Sequence, residues 1–224
     1  MPRHVPRVVL LLSAVLLLVP ASVVRAAEEP PGGWSAMERD LRLAVREGKV
    51  KEARAILSEL SRTNETRGYE IMIDAGLDTE DPEIYGYAAG LLARLEGKDR
   101  EVLFKSYPKC RLASTRIVLL AVAARWKDDE RAINLIHDGL SDTAKPVVFS
   151  ALRWVRELRK PEVSIPRLID ELSRRERGPR NRVYFDLVQT LTDLTGQKHE
   201  LASDWKKAVG TESRGGDAPA RARP

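Results

Sequence analysis

The feature that most constrains the fold is a recurrence of apolar helical segments about every 30 residues. Residues 132–141 align with residues 164–173, 32 positions later, and the Ile, Asp, Leu and Ser of the two segments match. The next segments, 147–152 and 183–188, align at an offset of 36, and 117–122 precedes the first of these by 30. Two helices repeated at this period are typical of an α-solenoid. One helix pair cannot bury its own apolar stripe, so neighbouring pairs must stack to form the core.

The remaining sequence between residues 34 and 210 also has apolar residues at helical spacing. Leu41, Ala44 and Val45 share one helical face, and Gly48 separates them from the next apolar stripe. Asp81 followed by Pro82 predicts a helix start, because Asp caps free amides and Pro suits the first turn. No run alternates as a strand would, so the sequence predicts an all-α fold. Helices are predicted over Val50–Leu60, Tyr69–Leu77, Pro82–Gly97, Leu112–Arg125, Glu130–Leu140, Pro146–Leu158, Val163–Arg174 and Arg182–Leu194.

The N-terminus has the three-part pattern of a secretory signal peptide. Arg3 and Arg7 precede an apolar run from Val8 to Val19, and small residues at Ala26 and Ala27 offer a cleavage point. A membrane-spanning helix needs about 20 apolar residues, whereas this run has twelve. We therefore expect cleavage after Ala26, export to the periplasm or medium, and no stable membrane span in the mature chain.

The charge balance argues against a nucleic-acid partner. Cleavage removes Arg3, Arg7 and Arg25 from 38 basic residues and leaves 35 against 33 acidic residues, a net charge of +2. Such a balanced chain has no overall attraction for a polyanion.

The composition divides the chain into four parts. The predicted signal peptide covers 1–26, a Pro- and Gly-rich linker covers 27–33, and the helical array with its C-terminal cap covers 34–210. The tail, 211–224, contains Gly, Pro, Ala, Arg and Ser but no large apolar residue, so it is predicted to be disordered.

The repeat segments resemble the HEAT family. Asp142 precedes a Val147, Ala151 and Val155 stripe, similar to the Asp-rich turn and second helix of a HEAT unit. The resemblance covers residues 110–196 and implies a right-handed α-solenoid of stacked antiparallel helix pairs. In the N-terminal half, the Ala-rich spacing of Val50–Leu60 also suits TPR-like pairing.

A second resemblance lies at the end of the array. Leu194-Thr195-Gly196-Gln197, followed by Trp205, is similar to the closing segment of exported bacterial HEAT-like proteins. Gly196 is suited to end a helix. We expect Trp205, on a short last helix, to cover the open end of the stack over Val188, Leu191 and Leu194.

No pattern of catalytic or metal-binding residues emerges from the sequence. The mature chain has two histidines, His137 and His199, and one cysteine, Cys110. His137 is expected to be partly exposed near a helix end, and Cys110 to be a small buried apolar residue. Zinc, nucleotide-phosphate and nucleophile-elbow motifs are missing. We therefore predict no catalytic residue, no metal site and no cofactor.

Two groups of residues are candidates for binding a partner. Phe149 and Phe185 occupy the same position in successive second helices, as does Leu119 one unit earlier, and they form either a packing ladder or a binding surface. Trp154 aligns with Ala124 and Thr190, so the repeat does not require its bulk, which makes it the strongest single candidate. The candidates on the helices are Trp154, Phe149, Arg153, Arg156 and Phe185, and those in a basic loop are Arg175, Arg177 and Arg180.

These features predict a non-enzymatic scaffold of the cell envelope that binds a protein or an envelope polymer. The alternative is an exported enzyme, or an accessory to one, by analogy with HEAT-like lyases and glycosylases. An acidic or amide side chain beside aromatic residues in a groove would favour the enzyme, whereas a shallow apolar groove would favour the scaffold.

Overall fold

The protein is helical throughout the part that the structure describes. The computed structural model describes residues 33–215, and the side chains of residues 33–210. This part is 77% helical and contains eleven α-helices and no strand, which confirms the predicted all-α class. The predicted signal peptide, all but the last residue of the linker, and residues 216–224 of the predicted tail lie outside the described residues. Within residues 33–215 no helix is both long and apolar enough to cross a bilayer.

The helices follow one another with short connections. In chain order they are α1 (Gly33–Arg46), α2 (Val50–Arg62), α3 (Thr66–Ile71), α4 (Pro82–Leu92), α5 (Glu101–Ser106), α6 (Ala113–Ala123), α7 (Glu130–Asp138), α8 (Lys145–Leu158), α9 (Pro161–Arg175), α10 (Arg182–Thr195) and α11 (Ala202–Gly215). A π-helical turn, Met72–Gly76, continues α3, and 3₁₀ turns lie at Gly97–Arg100, Tyr107–Lys109 and Gly139–Ser141.

The even-numbered helices contact one another in succession, and we call them the even row. Helix α2 packs on α4, α4 on α6, α6 on α8 and α8 on α10. The odd-numbered helices follow the same order: α1 contacts α3 and its π turn, α3 contacts α5, α5 contacts α7, and α9 contacts both the turn after α7 and α11. Consecutive helices such as α1 and α2, or α9 and α10, also pack together. The main contacts therefore join elements that are close in the chain.

Hydrogen bonds between successive helix pairs recur at sequence separations of 26 to 38 residues. The guanidinium of Arg116, for example, donates to both carboxylate oxygens of Asp142, 26 positions later. Bonds of this kind occur along the whole described chain, from α1 to α10. The partners, which are 26 to 38 positions apart, are Arg42 and Asp74, Ser58 and Tyr87, Thr115 and Leu77, Trp126 and Ala93, Arg116 and Asp142, His137 and Ser164, Ser141 and Glu171, and Arg156 and Asp186.

Two predicted helix ends are confirmed. The carboxylate of Asp81 accepts hydrogen bonds from the amides of Glu83 and Ile84, with Pro82 in the first turn of α4. Gly196 ends α10 in the left-handed region, at φ 72°, and its amide bonds to the Thr192 carbonyl. Only glycine adopts that conformation without steric cost.

The region from residue 92 to residue 109 differs from the prediction. Helix α4 ends at Leu92, and its last turn tightens because the amides of Arg94 and Leu95 bond three residues back. The short helix α5 was not predicted. It buries Val102 and Leu103, but its three apolar residues, Val102 to Phe104, are consecutive and show no helical periodicity in the sequence.

The C-terminal helix is placed differently from the prediction. Trp205 is 0% exposed, which confirms that it is buried. However, α11 packs mainly on α9, whereas the sequence suggested that it covers α10. The carboxylate of Glu176, just after α9, accepts a hydrogen bond of 2.6 Å from the Ala202 amide and fixes the start of α11 there. Helix α11 also continues to Gly215, into the segment predicted as tail.

Candidate functional site

A groove lies on the even row, over the C-terminal halves of α4, α6 and α8. Its volume is about 480 Å³, which is within the usual range for small-ligand pockets. We call it the central groove. Between its two neighbours, the end of α6 lines the groove with Ala121, Val122 and Ala124. Larger side chains of α8, including Trp154, form one wall, and small residues of α4 form the other.

The α4 wall consists of small residues. Gly86, Ala89, Gly90 and Ala93 recur at helical spacing and line the groove. A Cβ added to Gly86 or Gly90 would meet no atom within 4 Å. The backbone of α4 is therefore open to a ligand along this face.

Other glycines of this protein have a packing role. A Cβ on Gly76 would lie 2.7 Å from the Leu57 side chain, and one on Gly139 would lie 2.9 Å from Leu120. These glycines allow close approach between helices. No such contact explains the glycines of the α4 wall.

Trp154 forms the opposite wall. The side chain is half-buried on α8 and lines the central groove. The Arg153 guanidinium lies 5.0 Å from the centre of the indole ring, and its Nε is 2.9 Å from the carboxylate of Glu157. The structure therefore places two of the sequence candidates, Trp154 and Arg153, beside one another at a groove.

Two further cations lie at the end of the groove. Arg125 and Lys127 line it where α6 ends, and both are exposed. Neither forms an ion pair with another residue of the described part. Glu157, the carboxylate in the lining, is already paired with Arg153. The rim of the central groove is therefore positively charged.

The three positions of the predicted ladder become more exposed to solvent from α6 to α10. Leu119 is fully buried, Phe149 is partly buried with the Arg182 guanidinium 5.2 Å from its ring centre, and Phe185 is 57% exposed. Each position is covered by the next helix of the even row, and among the described residues no even-row helix follows α10. This gradient is what the packing interpretation of the ladder predicts.

Arg156 connects two helices. Its Nη2 donates to the Asp186 carbonyl at 3.3 Å, and its Nε lies 3.3 Å from a carboxylate oxygen of Asp193. Both partners belong to α10, so this arginine joins α8 to α10 on the even row.

The candidate basic residues at the end of α9 and after it are largely engaged with the protein itself, and Arg175, predicted in the loop, is the last residue of α9. Arg175 donates to the Glu171 carboxylate at 2.7 Å and to the Leu140 carbonyl at 3.3 Å. Arg180 lies 3.5 Å from Glu200, with its guanidinium 5.2 Å from the ring centre of Tyr184. Arg177 is exposed. The structure does not bring this loop to the central groove.

His137 is more buried than the sequence suggests. It is 5% exposed, and its Nε2 lies 3.0 Å from the hydroxyl of the fully buried Ser164. Burial, together with the charge of Arg167, lowers the pKa of His137 to about 4. The imidazole is therefore neutral near pH 7, and the pair connects α7 to α9.

Cys110 is half-buried, and its thiol donates to the Ser106 carbonyl at 3.3 Å. Burial, reinforced by the charge of Asp74, raises its pKa to about 11. Since the thiolate is the reactive form, this environment suppresses its reactivity. Within residues 33–210 no three potential metal-ligating side chains cluster.

Trp154 is the one lining residue of the central groove that the sequence singled out, and Gly86, Gly90, Arg125 and Lys127 are among those it did not. The two glycines did carry a signal, because glycine inside a predicted helix is costly and needs a reason. Comparison of the chain with protein-family models gives no match, and comparison with curated proteins gives no significant match.

Proposed function

We propose that this chain is a HEAT-like α-solenoid that serves as a non-enzymatic scaffold, binding a protein partner in the cell envelope. The recurrent hydrogen bonds between successive helix pairs support the solenoid, because they join residues 26 to 38 positions apart. In a stack of two-helix units, each unit contacts its neighbours at about one repeat length.

The N-terminal half supports one continuous stack. Arg42 donates to the Asp74 carbonyl, and the hydroxyls of Ser58 and Tyr87 are 2.7 Å apart. These pairs have separations of 32 and 29 residues, similar to those farther along the chain. The units before residue 110, where the HEAT resemblance is absent, thus use the same spacing as the later units.

The central groove is the observation that carries the binding function. Extended concave surfaces are what repeat stacks use to bind partners. An aromatic side chain beside a small-residue wall provides buried contact area, and aromatic residues are enriched at interaction hot spots. Trp154 is such a residue, and the repeat does not need it for packing.

The same groove favours a scaffold over an enzyme. An enzyme site would need a carboxylate or another proton-transfer group available beside Trp154. Glu157 does line the groove beside Trp154, as the enzyme alternative requires, but its carboxylate is paired with Arg153. The rest of the lining is mainly small and apolar.

We also propose export, on the basis of the N-terminal sequence. The basic residues Arg3 and Arg7, the short apolar run and the small residues at Ala26 and Ala27 support cleavage after Ala26. The scaffold would then act in the periplasm or outside the cell. N-terminal sequencing of the mature chain tests this step, and a chain that retains Met1 in the membrane fraction would contradict it.

A comparative capture experiment tests the binding function. Mature wild type and a Gly90→Leu variant would be immobilised and exposed to envelope extract from the cells that make the protein. A leucine at position 90 adds bulk to the wall of the groove, and its Cβ would meet no atom within 4 Å, so we expect the packing of α4 to be retained. We expect a discrete protein to be retained by wild type and lost with Gly90→Leu. Equal retention by both, or by neither, would contradict the proposal.

A further inference from the structure

We propose that the central groove binds a short peptide segment that places an apolar side chain against Trp154 and an acidic side chain near Arg125 and Lys127. This inference rests on the proposed function and names the chemistry of its partner. Three features of the groove carry it: the open glycine wall, the charge of the rim and the composition of the lining.

The glycines of the wall are unfavourable for α4 itself. Glycine in a helix interior costs about 1 kcal/mol relative to alanine. Gly86 and Gly90 bear this cost although a Cβ at either position would have open space. A local cost without a packing reason is typical of functional sites. The α4 wall consists of four small residues and lies opposite Trp154. Because its two glycines have no side chains, another backbone can lie against α4.

The charge of the rim selects an acidic segment. Arg125 and Lys127 are unpaired within the described residues, whereas Arg153 and Glu157 neutralise each other. The adjoining cation, Lys160, already lies 3.4 Å from Asp128. A carboxylate on the ligand would complement the two free cations, and such complementarity sets specificity and the association rate.

The composition of the lining favours a peptide over a glycan. A sugar ring can stack on Trp154, but its hydroxyl groups need several hydrogen-bonding side chains around it. The lining residues are Gly, Ala, Val and Leu apart from Trp154, Glu157 and the cations Arg125 and Lys127. A groove of about 480 Å³ takes a few side chains of an extended segment, and small residues let its backbone approach closely.

Selection from a phage-displayed random peptide library on the immobilised mature protein tests the inference. We expect wild type to enrich peptides in which Asp or Glu lies close to a large apolar residue. A labelled peptide from this pool would then be titrated against wild type, Gly90→Leu and the double variant Arg125→Glu/Lys127→Glu by fluorescence anisotropy. We expect each variant to weaken binding by about tenfold or more, and the double variant to enrich basic peptides in a new selection.

The variants need a stability control. Position 90 is exposed within α4, and Arg125 and Lys127 are exposed, so none of the variants should melt well below wild type. Enriched peptides without acidic residues, binding that survives Gly90→Leu, or no enrichment would overturn the inference. Groove-dependent binding of a neutral glycan oligomer without peptide binding would also overturn it. A protein captured from the envelope extract through the groove would still support the scaffold in either case, so the two proposals fail separately.

Discussion

Arg116 and Asp142 form a bidentate ion pair that joins α6 to the turn before α8. The Arg116 Nε and Nη2 atoms donate to the two carboxylate oxygens at 2.8 and 2.9 Å, and the side chains are only 13% and 9% exposed. The remaining Arg116 nitrogen donates to the carbonyls of Cys110 and Arg111, and Asp142 also accepts from the Ala144 amide. The pair therefore holds the loop before α6, α6 itself and the start of α8 in one arrangement.

Breaking this pair is expected to destabilise the protein strongly. Arg116→Leu leaves the Asp142 carboxylate buried without its cation, which typically costs about 3–5 kcal/mol. Chemical denaturation would measure the loss of unfolding free energy. Arg39→Ala is the control, because its partner Asp40 and Arg39 itself are mostly exposed and such pairs contribute about 0–1 kcal/mol. Similar losses for the two variants would contradict the role of the Arg116 pair.

The buried His137 predicts a loss of stability in mild acid. Its pKa is lowered to about 4 by burial and by Arg167, whereas in the unfolded chain it is near its ordinary 6.5. As pH falls from about 6.5 towards 4, the unfolded state therefore takes up a proton that the folded state does not, and the free energy of unfolding decreases. Denaturation of wild type and His137→Asn at pH 7 and pH 5 measures this. We expect a steeper decrease for wild type, and equal decreases would show that His137 does not contribute.

Trp205 is expected to stabilise the C-terminal end of the stack. It is fully buried between α11 and the helices before it, so Trp205→Ala should cost about 3 kcal/mol and lower Tm by about 6–12 °C. Its Nε1 has no hydrogen-bond partner among the described residues. Trp205→Phe, which keeps an aromatic ring and removes this donor, should therefore lower Tm much less. Thermal unfolding compares the three chains, and an unchanged Tm for Trp205→Ala would mean that the indole is not a structural cap.

The glycines of the central groove predict variants that are more stable than wild type. Gly86→Ala and Gly90→Ala each remove a helix-interior glycine where the added Cβ has open space. Each should raise the free energy of unfolding by about 0.5–1 kcal/mol. Gly48→Ala is the matched control, because Gly48 has φ 65° and alanine there costs about 1–2 kcal/mol. Denaturant unfolding that shows a loss for the α4 variants would mean that these glycines are needed for the fold.

The local features of the sequence predicted the helices well where caps and long apolar stripes coincide. Asp81 with Pro82 and Gly196 mark real helix ends, since their effect depends on nearby backbone groups. The short helix α5 has no such signals. The docking of α11 on α9 depends on the distant contact between Glu176 and Ala202, which no local pattern reveals.

The sequence predicted only the part of the candidate site that a local comparison of repeats can reveal. The alignment of Trp154 with two smaller residues showed that its bulk is not needed for packing, and it does line a groove. The sequence could not distinguish the free cation Arg125 from Arg175, because the pairing of Arg175 involves the Leu140 carbonyl, 35 positions away. Nor could it distinguish the open Gly90 from the tightly packed Gly139.

Photocross-linking inside the cells that make the protein tests most directly whether the central groove binds the partner. A photoreactive phenylalanine analogue would replace Arg153, which lies over Trp154, or Asn134, which is exposed on α7 in the odd-numbered row. We predict a discrete protein adduct from position 153, none of that size from position 134, and loss of the adduct when Gly90→Leu is added. Adducts of equal yield from both positions, or an adduct from position 153 that survives Gly90→Leu, would contradict the claim that the central groove binds the partner.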